Sequence, residues 1–359
     1  MPRVNKPVVI RPNRVRKGKL MSVVVGIKDV ARAARVSVGT VSNVLNRPEA
    51  VSKERRERVE RAIRELGYVP NDAARQLKAG ISRAVGLVVL DSQNPFYASV
   101  GLAAENEAAG RGVGLFVANS HGLESREQFY LSLFEQQRAR GILVTPGTPD
   151  LGPHREVARR GTRVVLVDAV DPEADFCTVS SDDFHGGHEA VQHLIRSGRR
   201  RIAIFGGPMR FRQIGRRRDG ALAAAEEHGG VSIEYLDPGG MSILAGRHLA
   251  EEVVSRPPDE RPDAIFAMND LLATGALQAM VMQGELSVPG DVALVGYDDI
   301  DFCANAIVPI SSVRQPAADM GRVAVQLLER EIEEGAGHQH ADVALKPELI
   351  IRESTRTSA

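Results

Sequence analysis

The chain has 359 residues, of which 43% are hydrophobic, so it is long enough for two or three domains with sizeable cores. Its formal net charge is zero, but residues 1–80 carry 19 Lys and Arg against 7 Asp and Glu, and the rest carries 27 against 39. The net neutrality argues against a protein whose whole surface binds nucleic acid, and the asymmetry favours a polyanion-binding module joined to an acidic body.

Cysteine usage and hydropathy predict a cytoplasmic protein without a membrane partner. The two cysteines, Cys177 and Cys303, are too few for a disulfide framework and lack the CxxC spacing of a metal site. No apolar run approaches the roughly 18 residues of a membrane helix. Residues 1–20 carry seven Lys and Arg without the apolar core of a signal peptide. We expect residues 1–25 to be a disordered basic extension. The alternative is that translation starts at Met21, just before the first motif, and that the residues before it result from assigning the start site too far upstream.

Two short helices are predicted between residues 27 and 46. Apolar side chains at spacing i, i+3, i+4 and i+7 predict a first helix with one face to bury, formed by Ile27, Val30, Ala31 and Ala34. After a three-residue break, a second apolar face is formed by Val38, Val41, Val44 and Leu45. Ser37 is placed to accept hydrogen bonds from the unpaired N–H groups at the start of the second helix. Two short helices so closely joined are typical of a helix-turn-helix.

A third helix is predicted from Ser52 to Leu66, with Gly67 as its stop signal. Its apolar face completes a small three-helix core. Its other face carries many Arg residues interleaved with Glu, so for this helix alone a solvated face with Glu–Arg pairs is the favoured interpretation. The prediction of DNA binding therefore rests on the first two helices.

From residue 84 onward, short apolar runs alternate with helical patterns, which is typical of βαβ units and parallel sheets. Strands are predicted at 85–90, 113–118, 141–145, 163–167, 201–205, 232–236, 264–267 and 292–295. Helices are predicted between them at 95–111, 126–138, 154–160, 189–196, 217–228, 244–254 and 271–282. The pattern restarts after the fourth strand, so we expect two similar α/β halves.

Polar residues follow the predicted strands, where parallel sheets bind ligands. Carboxylate, amide and guanidinium groups hold the hydroxyls of a sugar, while an aromatic ring covers its apolar face. The candidate ligand-binding residues are Phe96, Tyr97, Asp168, Asp183, Arg217, Asn269 and Asp298. Each alone has a simpler interpretation, since an Asp after a strand is more often a turn or helix cap and Phe96 fits a core position.

Other chemistry finds less support in the sequence. His185, His188 and His193 have a loose metal-like spacing, but a cluster at a helix start is the favoured interpretation. The Asp298–Asp301 segment is not followed by a calcium-loop pattern, and residues 206–208 lack the Lys-Ser/Thr of a phosphate loop. We therefore expect no catalytic residue, no metal and no cofactor.

Several motifs in fixed order resemble those of the LacI/GalR family of transcription regulators. They are Ile27–Ala31, Val36–Ser42, Val44–Asn46, Val51-Ser52 and Leu66–Asn71. The resemblance continues almost to the C-terminus. Two other classes, a solute-binding protein and an enzyme on the same α/β scaffold, are disfavoured by the basic N-terminal unit and by the absence of a catalytic constellation in the sequence.

The resemblance implies a mixed α/β fold: an all-α helix-turn-helix headpiece and hinge helix, then a two-lobed domain like periplasmic binding proteins, with two parallel-sheet Rossmann-like subdomains. The expected boundaries are 26–70 for the headpiece, 71–82 for the hinge helix and linker, and 83–355 for the effector-binding and dimerisation domain. Within that domain we expect an N-subdomain at about 83–183 and 315–339, and a C-subdomain at about 184–312 and 342–354.

The resemblance also implies a DNA site on the second helix. Val38, Gly39 and Asn43 sit where relatives read bases, and Asn43 is suited to pair with adenine where many relatives carry Arg. Polar side chains suited to phosphate contact are Ser37, Thr40, Ser42 and Asn46. Two hinge helices are expected to pair and insert Leu77 into a minor-groove step, the alternative being an ordinary linker residue. The implied state is a homodimer, or a higher oligomer, on a pseudopalindromic operator in the nucleoid.

In the body, Arg217, Asn269 and Asp298 match positions at which relatives contact their effector. Two departures stand out: Gly215 replaces an Arg of many relatives, and Met241 stands where an aromatic residue often stacks on sugar. With no Trp in the chain, stacking would fall to Phe96, Tyr97 or Phe184. We expect a small sugar-like or polyol effector.

Overall fold

The structure, a computed structural model, describes residues 25–69, 82–283 and 286–356. These residues belong to two compact units divided at residue 80. We call the described part of the first unit the headpiece and that of the second unit the body. The expected hinge residue Leu77 lies outside the described residues, as does nearly all of the expected N-terminal extension.

The headpiece, residues 25–69, is a three-helix unit. Its helices are α1 (Ile27–Ala34), α2 (Val38–Asn46) and α3 (Lys53–Leu66), with a 3-10 turn at Pro48–Ala50. Val30, Val41 and Val59, one from each helix, are completely buried in a shared core. The predicted helix-turn-helix and third helix are therefore confirmed.

Local signals set the ends of these helices. The Ser37 hydroxyl accepts a hydrogen bond from the Thr40 N–H at 3.1 Å, so it caps α2 as the sequence predicted. Gly67 ends α3 in the left-handed conformation, with φ of 62°. Asp29 accepts from the Gly26 N–H at 3.0 Å and thereby fixes the start of α1.

The described residues of the body form two six-stranded sheets. In spatial order, the first contains β11 (Asp342–Leu345), β5 (Cys177–Ser181), β4 (Val164–Val167), β3 (Gly141–Val144), β1 (Ala84–Val89) and β2 (Gly114–Asn119). The second contains β12 (Glu348–Ile350), β10 (Ser311–Arg314), β9 (Ala293–Asp298), β8 (Ala264–Ala267), β6 (Arg201–Phe205) and β7 (Ser232–Leu236). All neighbouring strands are parallel except β12, which runs antiparallel to β10.

Helices cover both sheets and define two lobes. The first lobe adds α4 (Pro95–Gly110), α5 (Glu124–Gln136), α6 (Gly152–Arg159) and α12 (Ala317–Glu334). The second lobe adds α7 (Asp183–Arg196), α8 (Arg212–His228), α9 (Ile243–Ser255), α10 (Asp270–Gln283) and the short α11 (Asp301–Ala304). The central strands are buried runs of Val, Ile and Leu, as expected for sheets covered on both faces. Among the described helices none is both long and apolar enough to cross a membrane.

The predicted α/β alternation in two halves is confirmed, with two kinds of difference. Helices α7 and α8 begin several residues earlier than predicted, at Asp183 and Arg212. Elements not predicted at all include β5, β10, α12, β11 and β12.

The expected assignment of residues 342–345 to the C-subdomain is wrong. They form β11, which pairs in parallel with β5 of the first sheet, Val343 lying opposite Val179. The backbone N–H of Thr178 donates to Ala341 at 2.8 Å, and that of Asp182 donates to Leu345 at 2.8 Å. Since β5 would otherwise present an unpaired edge, β11 completes the sheet before the chain enters the second lobe at β12.

The backbones of helices α7 and α8 pack closely against each other at Gly220. A Cβ added at Gly220 of α8 would overlap the carbonyl oxygen of Phe184 on α7, while a Cβ at Gly215, in the same helix, would meet nothing nearer than the Met209 methyl at 3.8 Å.

These two glycines provide a matched test of the packing. We expect Gly220→Ala to lower the free energy of unfolding of the body by about 1–3 kcal/mol or more, because α7 and α8 must separate. Gly215→Ala should instead leave it unchanged or raise it by up to about 1 kcal/mol through helix propensity. Urea unfolding of both variants measures the difference, and equal effects would contradict the close approach.

Candidate functional site

A cavity of about 260 Å³ lies between the two lobes of the body. Its walls come from segments that follow the carboxyl ends of strands in both sheets, as expected for paired parallel sheets. Six of the seven residues predicted for ligand binding line it: Phe96, Tyr97, Asp168, Arg217, Asn269 and Asp298. The seventh, Asp183, is not in the lining but contacts Arg217 from behind.

Arg217 is the buried cation of the cavity wall, with 3% of its surface exposed. Its Nε donates to Asp183 Oδ1 at 2.7 Å and its Nη1 donates to the Met268 carbonyl at 2.7 Å. The guanidinium also lies 3.7 Å from the ring centroid of Tyr297, whose hydroxyl donates to the same Asp183 oxygen at 3.0 Å. These contacts fix Arg217, and its Nη2, which has no hydrogen-bond partner among the described residues, is the donor available to a ligand.

Charge around Arg217 is unbalanced. Burial alone would lower the pKa of Arg217, but Asp183 and the neighbouring acidic groups outweigh it and raise that pKa above its usual value. Burial raises the pKa of Asp168 well above the ordinary range, and Asp183 adds to the shift. Burial likewise raises the pKa of Asp298, although Arg217 opposes the shift. Several carboxyl groups therefore compete for one guanidinium in a space shielded from water.

Two hydrogen bonds join the lobes across the cavity. The Asn94 amide, after β1 in the first lobe, donates to Asp298 Oδ2 at 2.9 Å. The Gln213 amide, on α8 in the second lobe, donates to Asp168 Oδ2 at 3.3 Å. Asp168 and Asp298 both have positive φ, 55° and 111°, a strained conformation for residues other than glycine. Their side chains are thus held in place from both sides of the cleft.

One oxygen of Asp168 has no hydrogen-bond partner among the described residues. The Tyr97 hydroxyl donates to Oδ2 at 3.3 Å, while Oδ1 is buried without a hydrogen-bond partner among the described residues. A buried acceptor without a partner is costly, so this oxygen is suited to accept from a ligand hydroxyl.

Aromatic rings from both lobes line the cavity. Phe96 and Tyr97 pack edge to face with centroids 4.9 Å apart and are almost fully buried. Phe211, from the start of the second-lobe helix α8, faces them as a third aromatic lining residue that the sequence did not reveal. Phe184, considered from the sequence, does not line this cavity and lies under the Arg216 guanidinium at 5.0 Å.

Asn269 has a structural role as well as a place in the wall. Its Oδ1 accepts from the Leu272 N–H at 2.9 Å, at the start of α10, and its Nδ2 donates to the Met241 carbonyl at 3.1 Å. One amide hydrogen remains for a ligand. Sequence reasoning missed the amide lining residues Asn94, Gln213 and Gln315, because amides after strands and in helix starts carry no periodic signal.

The histidines singled out from the sequence do not form one site. His188 contacts Glu227 at 3.0 Å and His193 contacts the Thr355 hydroxyl at 2.9 Å. Asp299 is likewise held by arginine, with Arg314 Nε at 2.8 Å.

The headpiece presents a separate candidate surface on α2. Val38, Gly39 and Asn43 are exposed. The polar residues beside them are partly committed: Ser37 binds Thr40, and the Asn46 amide donates to the Ser42 carbonyl at 2.8 Å. The residues expected to read bases are therefore exposed on α2, whereas several of those expected to contact phosphates form hydrogen bonds at the start of α2 or within it.

Two family models match the chain. Residues 26–71 match the model described as bacterial regulatory proteins, lacI family, and residues 191–355 match the periplasmic binding protein-like domain. The ribose operon repressor of Escherichia coli (strain K12) is 34% identical over 331 residues, which cover 91% of this chain and 99% of that protein.

Solved structures show the same likeness. The transcriptional regulator CelR in complex with cellobiose is 32% identical, with a TM-score of 0.67, and the match covers 92% of this chain and 99% of that one. The lac repressor dimer bound to operator and the anti-inducer ONPF is 24% identical, with a TM-score of 0.81, covering 93% and 99%. The latter shows likeness of fold alone.

The buried contacts of Arg217 with Asp183 and Met268 make this residue part of the structure of the cavity wall. We expect Arg217→Ala to lower the free energy of unfolding of the body by about 3–5 kcal/mol, because it leaves Asp183 buried without its partner. Arg247→Ala removes a half-exposed pair with Glu251 and should cost no more than about 0.5 kcal/mol.

Urea unfolding compares the two variants, and adding Asp183→Asn to Arg217→Ala should recover part of the loss. If Arg217→Ala costs no more than Arg247→Ala, the buried ion pair is not a stability determinant.

Proposed function

The chain belongs to the LacI family of bacterial regulatory proteins, and we propose that it is a repressor whose affinity for operator DNA is controlled by a small sugar or polyol bound between the lobes of its body. One combination carries the proposal: an exposed recognition face on a helix-turn-helix, and in the same chain a cavity whose polar walls come from both lobes. Its relatives are transcriptional repressors, not enzymes, in agreement with the expectation from the sequence.

For DNA binding we propose that α2 enters the major groove. The exposed Asn43 amide is suited to pair with an adenine edge, beside Val38 and Gly39, which allow close approach. Ser37, Thr40, Ser42 and Asn46 contact phosphates in this proposal. The excess of Lys and Arg in residues 1–80 supplies the attraction to the DNA backbone.

We propose the following division of the chain: headpiece at 26–70, hinge and linker at 71–82 including Leu77 as the minor-groove lever, and effector domain at 83–355. The N-subdomain then includes β11, as the sheet pairing requires.

A homodimer fits the exposed apolar residues of the body. In the first lobe Phe116, Val117 and Phe129 each have 57–61% of their surface exposed, although they lie on β2 and α5. In the second lobe, Leu222 on α8, Leu244 on α9 and Met282 on α10 have 39%, 61% and 69% of their surface exposed. Pairing of such faces about a twofold axis would place two headpieces on a pseudopalindromic operator in the nucleoid. Light scattering distinguishes the dimer from a higher oligomer.

For the effector we propose a monosaccharide or a polyol of similar size. A cavity of about 260 Å³ is slightly smaller than the pockets of drug-sized ligands, which run from about 300 to 1,000 Å³. Asp168 Oδ1 and Arg217 Nη2 supply an acceptor and a donor for ring hydroxyls, and Phe96, Tyr97 and Phe211 supply apolar faces. The ribose and cellobiose in the names of relatives support a carbohydrate.

Control of DNA binding would follow from the bonds across the cleft. A ligand that replaces the Asn94–Asp298 and Gln213–Asp168 contacts changes the relative stability of open and closed lobes. An inducer binds the DNA-free state better and a corepressor binds the DNA-bound state better. Fluorescence anisotropy of a labelled operator, titrated with the protein in the presence and absence of the sugar, shows whether the sugar weakens or strengthens DNA binding.

Base readout by Asn43 predicts a position-specific loss. Asn43→Ala should weaken operator binding by about 1–3 kcal/mol at one base position per half-site. Asn46→Ala is the control, because its amide is bound within α2, and any loss should be the same for all operator variants. Anisotropy titrations against single-base operator variants measure both. A uniform loss for Asn43→Ala would make it a backbone contact.

Effector recognition by Asp168 predicts a loss of sugar affinity. In calorimetric titrations with aldopentoses, aldohexoses and polyols, we expect Asp168→Asn to weaken binding of the preferred sugar at least about tenfold, because an amide NH₂ donor replaces one of the two carboxyl oxygens. Asp259→Asn, an exposed change on the second lobe, should bind like the wild type. Equal affinities for all three proteins would place the sugar elsewhere, and no binding across the panel would reject the carbohydrate class.

A further inference from the structure

Four side chains with metal-binding atoms converge in the first lobe, away from the cavity. They are Cys177, Glu331, His338 and His340, and one ligand atom from each lies within 4.8 Å of those of the others. Cys177 is the first residue of β5, at the amino end of the strand. The cavity residues follow the carboxyl ends of the strands, so this cluster lies at the opposite edge of the first sheet.

His338 is held with one ring nitrogen towards the thiol. Its side chain is 3% exposed, and its Nδ1 lies 2.7 Å from a Glu334 carboxylate oxygen, which can only accept. Nδ1 therefore donates to Glu334, and in the neutral imidazole Nε2 presents its lone pair 3.1 Å from the Cys177 sulfur. A carboxylate behind a histidine is the arrangement that orients imidazole ligands in metal sites.

Glu331 gives a second, independent indication of a cation. It is 6% exposed, and its Oε2 is buried without a hydrogen-bond partner in the part of the chain that the structure describes. The Arg163 guanidinium reaches only the other oxygen, at 3.8 Å. A buried carboxylate oxygen left without a donor is costly, and a metal ion at the centre of the cluster would satisfy it.

His340 completes the set from the solvent side. It is exposed, and its ring lies edge-on to His338 with centroids 5.1 Å apart. An exposed ligand beside the buried residues Cys177 and Glu331 and the buried side chain of His338 gives the ion an entry path, because the His340 imidazole can turn outward without opening the core.

We propose that Cys177, Glu331, His338 and His340 form a four-coordinate site for a divalent transition-metal ion of the Zn²⁺ class. Thiolate and imidazole donors select such ions over Mg²⁺ and Ca²⁺, which take oxygen ligands. With Zn–S near 2.3 Å and Zn–N near 2.0–2.1 Å, tetrahedral ligand atoms lie about 3.3–3.6 Å apart. The observed 3.1 Å between sulfur and Nε2 then needs a shift of about half an ångström.

Such an ion would link the C-terminal segment of the first lobe, which contains Glu331, His338 and His340, to β5. It joins the end of α12, the segment that follows it and the start of β5, just before β11 pairs with that strand. Because the ligands must be brought together for binding, the ion stabilises the folded lobe by mass action. The proposal is independent of the effector and operator, since none of its ligands lines the cavity or belongs to the headpiece.

Cobalt provides the direct test. The full chain is stripped with a chelator, dialysed and titrated with Co²⁺. We expect one ion per chain with visible bands of tetrahedral intensity and a thiolate-to-Co²⁺ band in the near ultraviolet, all displaced by Zn²⁺. Thermal unfolding should move to a higher temperature with Zn²⁺. Titration without the thiolate band, or without saturation at one ion per chain, overturns the proposal.

Variants assign the ligands. Cys177→Ser should abolish the thiolate band, and His340→Ala, an exposed change that leaves the core intact, should weaken Co²⁺ affinity at least about tenfold. The matched controls are Cys303→Ser, the other buried thiol, and His248→Ala, an exposed histidine of the second lobe. Both should bind Co²⁺ like the wild type. If His340→Ala is folded by circular dichroism and binds Co²⁺ unchanged, or if Cys303→Ser loses the band instead, the assignment is wrong.

Discussion

A single buried guanidinium sets the arrangement of the cleft. Arg217 holds Asp183 directly, and Asp168 and Asp298 are buried in the wall of the same cavity. The three carboxyl groups compete for one cation, and burial raises the pKa of each above its ordinary value. A site with this excess of acceptors is suited to a neutral ligand rich in hydroxyl donors, since such a ligand supplies hydrogen bonds without adding negative charge.

The same carboxylates tie the lobes together. Asp298 and Asp168 each accept from an amide on the opposite lobe, and both have strained backbones that fix the direction of their side chains. The chain itself crosses between the sheets three times, after β5, after β10 and after β11. Relative motion of the lobes therefore acts on short connections and on a few hydrogen bonds, which a ligand of a few polar groups can replace.

The chain separates its tasks by charge and by position. The basic N-terminal part contains the helix-turn-helix, and the acidic body contains the cavity. Within the body, the cavity uses the carboxyl ends of the strands, where helix starts and loops from both lobes meet. The proposed metal cluster uses the amino end of β5, where the end of α12 and the segment before β11 come together. Ligand binding and metal stabilisation can thus act on one lobe without sharing a residue.

The sequence by itself determined the features that depend on neighbours along the chain. Apolar spacing and the caps Ser37 and Gly67 fixed the headpiece helices, because a helix end is decided by the residues beside it. Alternating strands and helices predicted the two sheets, because parallel strands always bring their carboxyl ends to one edge. Residues after the strands, together with the family resemblance, predicted six lining residues.

Only the tertiary structure decided which distant segments meet. Periodicity shows that a face is buried but not what it is buried against, so the place of β11 beside β5 could not be derived. The packing of the two lobes places Asn94, Gln213 and Gln315 in the cavity wall. Cys177 likewise contacts His338, which lies 161 positions later in the sequence. Such pairings depend on the packing of whole sheets and helices, which no local pattern contains.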